Sequence, residues 1–114
     1  MPAVFAQMKS QTKQSIQELA EAIRMEMTVN GKFDFIYKKD KGNVIVLMME
    51  YTGLGYAFFN KYTSLTIVLS QLEDGLLAEM IGSGAEWNIY RLQDHVNNNV
   101  IDKAKQSLKK LGFE

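Results

Sequence analysis

From Phe5 onward, Phe5, Met8, Thr12, Ile16, Leu19 and Ile23 recur at three- and four-residue intervals, a spacing that predicts one stripe of a helix. Gln7, Lys9, Gln11, Lys13, Gln14, Gln17, Glu18 and Glu21 fill the wet side. Ser15 followed by Glu18 has the form of a capping box that would start the helix later, but the stripe already runs before Ser15, so the pattern favours the earlier start. Asn30-Gly31 ends the element.

The period then changes to two. Phe33, Phe35 and Tyr37 alternate with Asp34, Ile36 and Lys38, as in a strand with one drier face, and Asp40-Lys41-Gly42-Asn43 supplies a hairpin turn. The partner segment Val44 to Met49 is apolar on both faces until Glu50, which predicts a central strand covered on two sides. Tyr56 to Tyr62 is dense in aromatics but follows neither period. Leu65, Ile67 and Leu69 alternate with Thr66, Val68 and Ser70; Glu73-Asp74-Gly75 turns the chain, and Leu76 to Ile81 returns as a strand. Gly82-Ser83-Gly84 breaks it, and Trp87, Ile89 and Tyr90 lead towards a last helix.

In that helix Leu92, Val96, Val100, Ala104 and Leu108 fall four apart. Asp94 is the preferred N-cap, and Lys109, Lys110 and Gly112 mark the C-terminus. The expected fold is therefore a single α+β domain over residues 1–114. Its antiparallel sheet of four to five strands is flanked in sequence by an N-terminal and a C-terminal helix in a two-layer sandwich.

Charge and composition narrow the function classes. Thirteen basic and thirteen acidic side chains cancel, so no global field draws the chain to nucleic acid or to an anionic membrane. Cysteine is absent, which removes disulfides, thiolate zinc sites and cysteine nucleophiles and fits a reducing compartment. The short apolar run Met1 to Ala6 does not read as a signal segment, and no stretch approaches the ~20 apolar residues of a membrane span, so the expected location is the cytoplasm.

Few residues offer chemistry. His95 is the only histidine and stands beside Asp94 near a helix start, where a surface role is commoner than catalysis, and one histidine makes no zinc site. Glu50 and Glu79 lie in or at the end of apolar strands, where desolvation can raise a carboxyl pKa, yet a carboxylate on a solvated strand face gives the same pattern. Gly53-Leu54-Gly55 and Gly82-Ser83-Gly84 do not extend to a phosphate-loop motif. Tyr56, Phe58, Phe59 and Tyr62 beside Lys61 have the look of a base-stacking platform without a basic groove, which reads better as a lid, a core segment or a subunit contact. Met48 and Trp87 join them as ligand or interface candidates, since thioethers and indoles fit irregular apolar partners.

The order of helix, antiparallel strands with a Glu-Asp-Gly hairpin, a Gly-Ser-Gly break and a helix ending Leu-Gly-Phe resembles small bacterial α+β proteins of unknown function. The resemblance implies fold class and bacterial origin, and brings no catalytic residues with it. The leading expectation is a non-enzymatic binding or assembly domain, homodimeric through an apolar and aromatic sheet face. A binder of a small apolar ligand, with hydrolytic chemistry from Glu50, Glu79 or His95, is the alternative. Single-stranded nucleic-acid binding ranks below both. No metal or cofactor is implied.

Overall fold

The computed structural model describes residues 4–52, 63–83 and 92–114. Within them the elements run β1 (Val4–Ser10), α1 (Ile16–Val29), β2 (Phe33–Asp40), β3 (Val44–Tyr51), β4 (Thr63–Leu72), β5 (Gly75–Ser83) and α2 (Leu92–Lys110). The strands form one antiparallel sheet in the order β1-β5-β4-β3-β2. Strands β2 to β5 are a meander, and β1 joins it at the far edge, so α1 crosses from one side of the sheet to the other. This is the expected α+β two-layer architecture.

The N-terminal helix begins later than its apolar stripe suggests. Ser15 is the N-cap: its hydroxyl accepts from the Glu18 amide at 3.1 Å, and the Glu18 carboxylate accepts in return from the Ser15 amide at 3.4 Å. Residues 4–10 instead pair along β5 from Val4 opposite Gly82 to Ser10 opposite Leu76. A segment whose apolar residues are Val4, Phe5, Ala6 and Met8 fits either period. An unpaired strand edge beside it supplies hydrogen bonds that a helical extension past Ser15 would forgo.

Both helices lie on one face of the sheet. Helix α1 packs on β2, β3 and β4 through Ile16, Leu19, Ala20, Ile23 and Met27, and α2 packs on β1, β4 and β5 through Val100, Ile101, Ala104 and Leu108. Register aligns the sheet's contribution in rows: Ile45, Leu69, Ala78 and Met8 in one, Leu47, Ile67 and Met80 in the next, all 5% exposed or less. α2 begins at Leu92, so Asp94 stands inside its first turn and not before it. Its other end is a Schellman turn, with Gly112 at φ 96°, the Gly112 amide on the Lys109 carbonyl and the Phe113 amide on the Leu108 carbonyl.

The two sheet edges are handled differently. Along β1, Lys9 and Glu114 exchange backbone hydrogen bonds of 2.9 and 2.8 Å, so Glu114 covers part of that edge. Strand β2 is exposed beyond Phe33, carries Lys38 and Lys39, and is bent by a bulge between Phe35 and Tyr37. The bulge also corrects an expectation from the sequence. Phe33 and Phe35 face the helices, Phe33 packing on Tyr51 and Phe35 lying under the Arg24 guanidinium, but Tyr37 is carried to the opposite face with its partner Met48.

Candidate functional site: the open face of the sheet

With both helices on one side, the other face of the sheet is built from the residues that alternate with the core. Register lays them out in rows across the strands. One row runs through all five: Phe5, Ile81, Thr66, Met48 and Tyr37. The next holds Gln7, Glu79, Val68, Val46 and Lys39, and a third holds Lys9, Leu77, Ser70 and Val44. On the other side of the apolar row, Asp34 is opposite Glu50, which is opposite Ser64.

Phe5 is 55% exposed, Tyr37 46% and Met48 38%, so the ridge formed by the first row meets solvent, as does Val44 at 38% in the third row. Val44 to Met49 is thus an interior strand with a buried face and an apolar face that no described residue covers, where the sequence pattern predicts cover on both sides.

Charge on this face is ordered as well. Asp34 and Glu50 are like charges on directly opposed residues, an unfavourable pair, and neither forms an ion pair among the described residues. Lys39 lies on the far side of the apolar row, also without an ion-pair partner among them. Glu79 accepts a hydrogen bond of 3.2 Å from the Gln7 side chain on the neighbouring strand.

The candidate acid/base residues do not gather. Glu50 and Glu79 share the open face, but Glu79 is level with Val46 and stands two strands from β3. Strand spacing of ~4.8 Å and a rise of ~3.4 Å per residue put their backbones roughly 16 Å apart, beyond the ~5–10 Å at which two carboxyl groups share one reaction. His95 belongs to α2, whose backbone is on the other side of the sheet. Tyr56, Phe58, Phe59, Tyr62 and Trp87 lie outside the described residues. Among the described residues no three His, Cys, Asp or Glu side chains gather as a metal site, and no helix is long and apolar enough to cross a membrane.

Of the interface candidates named from sequence, Met48 takes its place in the ridge, while patterning does not single out Phe5, Ile81 or Tyr37. The helical stripe claims Phe5, and the bulge that turns Tyr37 outward leaves no mark in a three-residue alternation. Ile81 leaves none either, because Leu76 to Ile81 is apolar at both parities except at Glu79. The chain matches no protein-family model and none of the curated proteins with which it was compared.

Proposed function

We propose that this protein is a non-enzymatic assembly domain that forms a homodimer by packing the open faces of two sheets together, in the cytoplasm of a bacterium. The observation that carries the reading is the apolar row Phe5, Ile81, Thr66, Met48 and Tyr37, which spans every strand on the face opposite the helices. Five strands at ~4.8 Å and about seven residues at ~3.4 Å make a face of roughly 24 by 24 Å. That is of the order of the ~800 Å² each partner contributes to a stable interface.

A second copy is the occupant that the pattern fits. A two-fold axis along the apolar row sets the row against itself and brings Asp34 of each copy over Lys39 of the other, because the two residues flank the row on opposite sides of β2. The same operation relieves the repulsion between Asp34 and Glu50 by supplying a cation from the partner. Two sheets related in this way pack about 10 Å apart, as in a β-sandwich.

Sedimentation velocity over a range of concentrations is the test. The wild-type chain should sediment as a dimer at micromolar concentration. Met48→Glu, a change at a side chain that is 38% exposed, should yield a folded monomer with at least about a hundredfold weaker association. A wild-type protein that stays monomeric at high micromolar concentration, or a Met48→Glu variant that dimerises as before, would sink the proposal.

A further inference from the structure

On the opposite side of the molecule from the open face, a small pocket of about 140 Å³ lies where the end of α1, the end of β3 and the last turns of α2 meet. Its described lining includes three lysines, Lys32, Lys103 and Lys110, together with Tyr51 and Ser107. We propose that this pocket is a binding site for a phosphate group, held by the three ammonium groups and by the hydroxyls of Tyr51 and Ser107.

Two observations independent of the charge point to a ligand. As whole residues Ser107 is 5% exposed and Tyr51 6%, and neither side-chain hydroxyl hydrogen-bonds to a protein group among the described residues. Buried hydroxyls nearly always find partners, because an unmet one forfeits its hydration without compensation. Two such groups lining one cavity are what a bound polar molecule would satisfy. A phenol is protonated at neutral pH and able to donate, and burial pushes that of Tyr51 further up from its ordinary range.

The backbone around the pocket is arranged so as not to repel an anion. The end of α1 is the negative end of its dipole, but its Glu26 and Met27 carbonyls already accept from the Asn30 and Gly31 amides. The chain then turns through Lys32 at φ 60°, and the Lys32 carbonyl accepts from both the amide and the hydroxyl of Thr52 at 2.9 and 2.8 Å. The nearby Glu26 carboxylate is engaged by Lys110 at 3.2 Å and by the Asn30 side chain at 3.1 Å. Lys32 and Lys103 have no carboxylate partner among the described residues. Three positive charges against one negative leave the pocket cationic within a chain of zero formal net charge. At ~30 Å³ per water it holds about four or five waters, or one phosphate group in their place.

Inorganic phosphate titrated into the full chain, with sodium chloride at matched ionic strength as control, tests the site by amide NMR and thermal melting. Saturable shifts at Gly31, Lys32 and Ser107 should appear with phosphate and not with chloride. Lys103→Gln should weaken binding roughly tenfold, the effect of losing one charged hydrogen bond. Ser107→Ala has a signature that a purely structural serine would not give: an undiminished melting temperature without phosphate, since no hydrogen bond to protein is lost, together with a smaller rise when phosphate is added. Glycerol phosphate binding as well as phosphate would identify the head of a phosphomonoester as the natural ligand, and binding of inorganic phosphate alone would identify the free ion. Equal shifts with chloride, or undiminished phosphate binding by Lys103→Gln, would overturn the proposal.

Discussion

Gly75 shows how one residue holds two parts of the fold at a set distance. It opens β5 at φ 155°, and a methyl group there would overlap the Ser10 carbonyl oxygen at the end of β1. The glycine in the Glu73-Asp74-Gly75 turn is therefore required less by the turn than by the strand lying against it, a contact absent from any local reading. Gly75→Ala should destabilise the protein by about 3 kcal/mol or more, because relief of the overlap must move β1 backbone and not a flexible side chain. Urea unfolding followed by circular dichroism would measure it, and a midpoint within error of wild type would refute this reading of the contact. Gly42, at φ 88° in the β2–β3 turn, has open space around its α-carbon, so its role is the local one that Asp40-Lys41-Gly42-Asn43 advertises in sequence.

At the scale of elements, the two helix ends at Asn30-Gly31 and Gly112 are legible from residue type alone, since caps are local chemistry. The start of α1 is legible only once the competition for residues 4–10 is settled, and the unpaired edge of β5 settles it in favour of a strand. The C-terminus adds a second edge device. Phe113, 1% exposed, anchors the Schellman turn and presents Glu114 to the outer side of β1. Phe113→Ala should lose about 3–5 kcal/mol of stability from the cavity it leaves. It should also loosen the Glu114 pairing, so hydrogen exchange at the Lys9 amide should accelerate more than at the Leu69 amide inside the sheet. Equal acceleration at both would mean that Phe113 supports the core without securing the edge.

For the whole molecule, the decisive fact is that both helices share one face. Helix α1 covers the β2 side and α2 the β1 side, which buries the core and leaves the apolar row on the reverse. The proposed two-fold makes a charge-pairing prediction that a generic hydrophobic contact does not. Asp34→Lys and Lys39→Asp should each weaken the dimer by about 1–3 kcal/mol through like-charge contacts, and the double variant should recover most of the loss. Dissociation constants from sedimentation equilibrium would decide it; additive losses in the double variant would exclude the arrangement. Glu50 and Glu79 also become interpretable only at this scale. Their place in the chain allowed a catalytic pair, and strand order separates them by two strands and four residues.

Legible along the chain is everything that rests on near neighbours: the apolar runs of β3 and β5, the alternation of β4, the two hairpin turns, the stripe of α2 and its glycine stop. These depend on side-chain period and on backbone conformations that particular residues favour, and both are written locally. It took the folded sheet to make residues 4–10 a strand, to carry Tyr37 by a bulge to the face of Met48, and to leave the second face of β3 without a described cover. The fold likewise brought Lys32 from a turn, Tyr51 from β3 and Ser107 from α2 around one pocket. Each of these results from competition between distant segments for hydrogen bonds and for apolar surface, and a pattern read along one segment contains no term for its competitor.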